Sequence, residues 1–455
     1  MRNMKSMGSM LSVNKIFLFL AISVVLLLSL SLGSLIKAQN YSVVFAAGGD
    51  HGGPGQSDTR SSLQAVANSG AEFYLALGDM SYEESGTEPT DGVSPSPWCT
   101  GSDPNKNVKL TVGENFPFEL IMGNHEDDDH VDGFIKNFAA CLPDRMNSTG
   151  VYGAEYFFDY PPSAPLVRVI MIGAGNDMNG EKYDYIAGNA HYNWLANTID
   201  SGRQNNIPWT VVGMHKNCLT MGTKACEIGE DLMDMLIAKR VDLVIQGHDH
   251  NYQRSKQLTC ANANSFDPAC VADDGADGGY AKGAGTVFVI NGNFGGGGVY
   301  SLNCNDSERG YFIRAMGGDG NVWNGSSCNI QRVGRGILLF MVTPDRLEGR
   351  FSMTYQTGGS GDTFSDGFAI TGSGLPTPVA SSTPLVSSTP MSTMTALPTF
   401  TATPTTTVTE TATLLPTATT TPTEPAVPTP TKDPCEPPFG AGGRPAECKT
   451  NGSNG

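Results

Sequence analysis

Five short segments of this 455-residue chain set a glycine beside an oxygen or nitrogen donor. They are Gly49-Asp50-His51-Gly52, Gly78-Asp79-Met80-Ser81-Tyr82, Gly123-Asn124-His125-Glu126, Gly213-Met214-His215 and Gly247-His248-Asp249-His250. Glycine lets a backbone turn sharply, so short, rigid side chains after successive strands can converge at the carboxyl edge of a sheet. An isolated Asp or Asn after a strand is usually a turn former, and a lone histidine usually packs in a core. Together the segments hold most of the chain's seven histidines, and carboxylate, amide, phenol and imidazole donors at one point are the makings of a metal-binding cluster.

The elements that must position these donors can be read from hydropathy patterning. Tyr41 to Ala47 is a buried-strand pattern, Ser57 to Asn68 a helix opened by Ser and Asp, and Ala71 to Leu77 a second strand, which makes a βαβ opening. A short apolar run from Glu119 to Met122 precedes the third motif. Strands over 166–172, 209–212 and 241–246 alternate with helices over 191–199 and 229–239, an order that argues for an α/β sandwich. The runs 286–291, 336–342 and 347–353 look like antiparallel strands of a second sheet joined by Gly-rich loops.

The chain carries a formal charge of -17, which argues against a nucleic-acid partner held by counterion release. A polyanionic substrate needs a local positive centre instead. Arg2, Lys5 and Lys15 precede an apolar run from Ile16 to Leu32, and Ile36-Lys37-Ala38 is an acceptable cleavage site, so residues 1–38 read as an export signal. The run is longer than many signal cores, and an uncleaved membrane anchor is the rival reading. All ten cysteines follow it, an even count that favours disulfides in an exported protein. Neighbour pairing would join Cys218 to Cys226 and Cys260 to Cys270, although spacing does not fix connectivity. A zinc cluster of cysteines is the poorer alternative, because no C-x-x-C pair occurs. Residues 373–434 are rich in Thr, Pro and Ser, as at Thr403-Pro404-Thr405 and Pro428-Thr429-Pro430, and read as an extended stalk without a core. Residues 435–455 form a short tail with Cys435 and Cys448. The folded part is therefore 39–372, with stalk and tail suited to attachment at a cell surface or wall.

The motif order, from Gly-Asp-x-Gly to Gly-His-x-His, resembles the purple acid phosphatases within the calcineurin-like metallophosphoesterases, over about Tyr41 to Tyr252. The glycine run Gly292 to Gly298 and the segment Val342-Thr343-Pro344-Asp345 look like that family's C-terminal sheet. The resemblance implies a four-layer αββα sandwich of two mixed sheets, with a dinuclear metal site at the strand C-terminal ends. It places Asp50, Asp79, Tyr82 and His250 on a first ion, in the family Fe(III). It places Asp79, as bridge, with Asn124, His215 and His248 on a second, divalent Fe, Zn or Mn. Hard carboxylate and phenolate oxygens suit a trivalent ion, and imidazole with amide suits a borderline divalent one. Most calcineurin-like enzymes have Asp-x-His in the first motif; Gly52 stands where that His would be, and Tyr82 can supply the missing ligand. His51 has the wrong strand parity to do so.

What the resemblance implies in function is a secreted hydrolase cleaving small phosphate monoesters by attack of a metal-bound hydroxide, with His125 as proton donor or transition-state stabiliser. A phosphodiesterase or nucleotidase on the same core is the alternative, decided by the loops 83–115, 126–150 and 260–285. An inactive surface-binding module is disfavoured by the complete ligand set. His130 sits in the acidic run Asp127-Asp128-Asp129 and reads as part of a solvated loop. Glu126 and Asp249 are expected to hydrogen-bond behind the ligands, and Tyr252 and Arg254 to order the loop after the last motif. Lys216-Asn217-Cys218 departs from the proline-containing stretch common in the family, which leaves substrate specificity open.

Overall fold

The structure, a computed structural model, describes residues 41–53, 56–82, 98, 107–127 and 135–372. The signal or anchor segment, the stalk, the tail, His130 and most of the loop 83–115 lie outside the described residues. No helix among the described residues is long and apolar enough to cross a membrane.

Two large mixed sheets form the framework. A seven-stranded sheet runs in the order 279–281, 366–371, 346–358, 333–342, 43–48, 73–77, 118–121. Its last three strands are parallel, Val43–Gly48 beside Phe73–Leu77 beside Phe118–Ile121. A ten-stranded sheet runs 328–330, 321–323, 312–316, 252–255, 287–291, 243–246, 209–214, 167–172, 155–160, 149–151. There the parallel block is Val167–Ile172, Trp209–Met214, Leu243–Gln246 and Val287–Asn291. Parallel strands covered on both faces are apolar almost throughout, which is why these segments stand out in the sequence.

Residue parity shows how the layers stack. Phe45, Ala47, Phe73, Leu75 and Leu77 of one sheet share a core with Val169, Met171, Val211, Leu243 and Ile245 of the other. The alternate residues Ala46, Tyr74, Ala76, Ile170, Val212 and Val244 instead join Leu63 and Val66 of the helix Ser57–Asn68, Leu195 and Ile199 of Ala190–Gln204, and Leu232 and Leu236 of Glu230–Ala238. Since successive strand residues face opposite ways, the sheets face each other and the helices cover their outer sides. This is the expected αββα sandwich.

Some expectations need correction. Val287–Asn291 does not belong to a separate antiparallel sheet, because it pairs parallel to Leu243–Gln246 on one side and antiparallel to Tyr252–Ser255 on the other. The hairpin of Val333–Val342 and Arg346–Gly358 lies in the sheet of the first strand, with Val333–Val342 paired antiparallel to Val43–Gly48. Tyr252 and Arg254 do not order a loop. They lie on the buried strand Tyr252–Ser255, where Arg254 makes a paired contact to Asp366 at 2.7 and 2.9 Å and Tyr252 donates to the same carboxylate at 2.7 Å. A strand that starts two residues after a ligand motif, with a buried cation in it, carries no alternation by which sequence could reveal it. Disulfides join Cys218–Cys226 and Cys260–Cys270 as neighbour pairing anticipates, and Cys304 joins Cys328.

Candidate metal centre

All five motifs end strands of the two parallel blocks, at their carboxyl edges. Asp50 follows Val43–Gly48, Asp79 follows Phe73–Leu77, Asn124 follows Phe118–Ile121, His215 follows Trp209–Met214 and His248 follows Leu243–Gln246. Three of these donors sit in the left-handed backbone region, Asp50 at φ 62°, Asp79 at φ 48° and His248 at φ 69°. A non-glycine residue there costs about 1–2 kcal/mol and persists only where its surroundings hold it. Here the loops hold one another. The Asp50 N–H donates to Gly78 O at 3.1 Å, the His51 N–H to Asp79 O at 2.7 Å, the Gly247 N–H to His215 O at 2.9 Å and the His248 N–H to Asp50 Oδ2 at 2.8 Å.

The side chains meet in two groups that share Asp79. Asp50, Asp79 and His250 bring one ligand atom each within 4.8 Å of one another, and so do Asp79, His215 and His248. Tyr82 joins the first group, with its hydroxyl 2.7 Å from Asp50 Oδ1, 3.3 Å from Asp79 Oδ2 and 3.0 Å from His250 Nε2. Asn124 joins the second, with Oδ1 3.1 Å from His215 Nε2. Thus the structure brings together all seven residues singled out as ligands. The first group offers three oxygens and one nitrogen and the second two of each, so the donor sets fit two unlike cations.

Each imidazole is fixed through its other nitrogen. His215 Nδ1 is 2.8 Å from Leu77 O, His250 Nδ1 is 2.9 Å from Gly298 O, and His248 Nε2 is 3.0 Å from Glu227 Oε1. The His250 ring also stacks on Tyr300 with centroids 4.2 Å apart. Glu227 has no motif around it and escaped sequence reasoning; its place directly after Cys226 is the one hint that it is held.

The charges are balanced against burial. Burial favours protonated carboxyls, but the imidazoles of His250 and His215 overcome it at Asp50, and those of His215, His125 and His248 at Asp79, so both are held below the ordinary carboxylate range. Burial lowers the basicity of His248, whereas at His215 the two carboxylates outweigh burial and raise it. Tyr82 is pushed well up by burial and then by Asp50 and Asp79. A cation held among them would oppose that repulsion and favour the phenolate.

His51, as its parity requires, turns away. Its Nε2 lies 2.8 Å from the Tyr74 hydroxyl and its ring packs 4.5 Å from Phe294. Gly52 could not be a histidine in this fold, because a Cβ there would come within 2.6 Å of Gly296 Cα. Glu126 is buried and accepts the N–H groups of Asp79 and Gly123 at 2.9 Å and of Met80 at 2.6 Å, which locks two motif loops together. Asp249 accepts the Thr223 N–H at 2.9 Å and the Thr220 hydroxyl, and so ties the Cys218–Cys226 loop to the last motif. His125 lies at the rim, one-fifth exposed, with its Nε2 3.8 Å from Asp79 Oδ2 and its ring 4.6 Å from that of Tyr82.

Residues 44–252 match the sequence profile of the calcineurin-like phosphoesterases. Purple acid phosphatase 18 of Arabidopsis thaliana is 24% identical over 251 residues, 53% of this chain and 51% of that protein. Purple acid phosphatase 21 of the same plant is 24% identical over 258 residues, 54% and 52% of the two chains. The chain thus spans about half the length of the curated relatives it matches. A solved purple acid phosphatase from yellow lupin seeds aligns with a TM-score of 0.50 and 14% identity, over 74% of this chain and 55% of that one, a likeness of fold alone. The matched segment contains all five ligand motifs, so this part of the chain is similar to the calcineurin-like phosphoesterases and, within them, to the purple acid phosphatases.

Proposed function

We propose that this chain is a dinuclear-metal hydrolase of phosphate monoesters. The observation that carries the reading is the sharing of Asp79 by two ligand groups, one of them completed by the Tyr82 hydroxyl. Fe(III) suits the Asp50, Asp79, Tyr82 and His250 set, and a divalent Fe, Zn or Mn suits the Asp79, Asn124, His215 and His248 set. When bound, such a pair clamps phosphoryl oxygens and activates water for in-line attack. The chain itself then has three tasks. Asp79 holds the spacing of the two groups from a backbone fixed by Glu126. The buried imidazoles present single, oriented lone pairs. His125, at the solvent edge, holds a proton on its ring for the leaving alcohol oxygen.

Ions held by these residues would give this acidic chain the local positive centre that an anionic ester requires. The disulfides support folding in an oxidising compartment, and with the amino-terminal apolar segment they favour action outside the cell. The stalk and tail then serve as a tether. Hydrolysis of p-nitrophenyl phosphate and of its bis ester by the metal-loaded protein, with Asp79→Ala as control, tests the reading. Monoester preference lost in the control supports it; diester preference transfers the site to the phosphodiesterases, and no turnover of either refutes hydrolysis.

A further inference from the structure

Two of the three imidazoles at the candidate centre are oriented by main-chain carbonyls, Leu77 O for His215 and Gly298 O for His250. The third is oriented by a side chain. His248 directs Nδ1 into the centre, 3.0 Å from His215 Nε2, and its Nε2 lies 3.0 Å from Glu227 Oε1. A carboxylate only accepts, so His248 must carry its proton on Nε2, which leaves the Nδ1 lone pair facing the ligand cluster.

Glu227 is itself held. It stands directly after Cys226, whose disulfide to Cys218 closes the loop, and its own N–H donates to Asn217 O at 3.0 Å. Lys216 Nζ, 3.9 Å from Glu227 Oε2, is anchored on Gly175 O at 2.7 Å. Asp249 binds the same loop through Thr220 and Thr223. The loop is thus fastened to the Gly-His-Asp-His motif at two points, the His248 ring nitrogen and the Asp249 carboxylate. An acceptor built this firmly, on a segment where the chain departs from its family's pattern, does more than solvate a histidine.

We propose that Glu227 is a positioning residue for the second metal ion: it fixes His248 in the Nε2–H form and aims Nδ1 at the site, with the Cys218–Cys226 loop as its support. The inference rests on His248 being a ligand of that ion. Carboxylates in this position characteristically strengthen metal binding by about 10–100-fold. The neutral amide of Glu227→Gln can accept the same hydrogen bond, so it keeps the orientation and loses only the charge.

Two measurements test this. Nitrogen-15 histidine spectra of the metal-free full chain, with His248 identified by its absence in His248→Gln, report the ring tautomer. The expected result is Nε2–H in the wild type and a tautomer mixture in Glu227→Ala. Zinc titration against a chelator then gives stoichiometry and affinity. We expect two ions in the wild type, the second bound about 10–100-fold more weakly in Glu227→Ala, the first unchanged, and Glu227→Gln restored to within a few-fold. Wild-type affinity in Glu227→Ala, an unchanged His248 tautomer, or a Gln variant as weak as Ala would each overturn the positioning role. If instead the wild type binds no second ion, or His248→Gln binds it normally, the ligand assignment fails and not the geometry around Glu227.

Discussion

Glu119 gives the sharpest stability prediction, because it places a carboxyl inside the strand that delivers Asn124. The strand Phe118–Ile121 is wholly buried, and Glu119 has no exposed surface. Its Oε1 accepts the Arg145 N–H at 3.1 Å, while Oε2 has no hydrogen-bond partner among the described residues. Burial, only partly offset by that hydrogen bond, lifts the carboxyl from 4.5 to about 8. The folded chain therefore binds a proton that the unfolded chain has released, and stability falls as pH rises from 4.5 through about 8. At 1.36 kcal/mol for each tenfold change in affinity for the proton, the full cost is about 5 kcal/mol, of which roughly 3–4 kcal/mol accrues between pH 5 and pH 8. Glu119→Gln keeps the shape and the acceptor for Arg145 without the charge. Denaturant unfolding of both proteins at pH 5, 6, 7 and 8 should show the variant gaining on the wild type by about that amount across the series. Other titrating groups cancel in the difference. Parallel stability curves would refute the reasoning and mean that Glu119 stays ionised by means of a partner.

Two further predictions concern the site and its support. At Gly123 a Cβ would lie 2.1 Å from Asp79 Oδ1 and 2.5 Å from Asp79 N, so Gly123→Ala must displace the shared carboxylate; metal analysis should show loss of both ions, with the far-UV circular dichroism of the wild type retained. Asp366→Ala strips the buried Arg254 of its paired carboxylate, and removal of one partner from a buried ion pair costs about 3–5 kcal/mol. Unfolding midpoints should fall accordingly, and a change below about 1 kcal/mol would show that Tyr280 and water satisfy the guanidinium.

Legibility in the sequence followed how locally each feature is determined. The parallel blocks were readable because strands covered on both faces must be apolar, and the ligands were readable because each stands within a few residues of a strand end, in a short segment that opens on a glycine. The helix Ser57–Asn68 was found at its true bounds, since its composition is set by one packed face. The antiparallel partners were not assignable in the same way. Whether the hairpin 333–358 joins the first strand or the second sheet depends on contacts between residues nearly 300 positions apart, such as Val43 with Val342, and no local pattern records them. Arg254 was misread for a related reason, as its partner Asp366 lies more than a hundred residues away.

Glu227 shows where motif reasoning stops. The residues that bind are constrained in type and spacing, so they form a recognisable series. A residue that orients a ligand needs only to deliver an acceptor to one ring nitrogen, and main-chain carbonyls do this at His215 and His250 without leaving any mark in the sequence. The task can pass to any carboxylate on any loop that is held still. In this chain the loop is held by a disulfide and by Asp249, which stands between His248 and His250 and accepts hydrogen bonds from the loop. The disulfide and Asp249 together explain how the stretch after His215 can depart from the family's pattern and keep its geometry. Changes at 219–225 other than Thr220 and Thr223 are then expected to alter specificity and leave metal binding fixed, because the latter acts through the Glu227–His248 contact and the Asp249 hydrogen bonds.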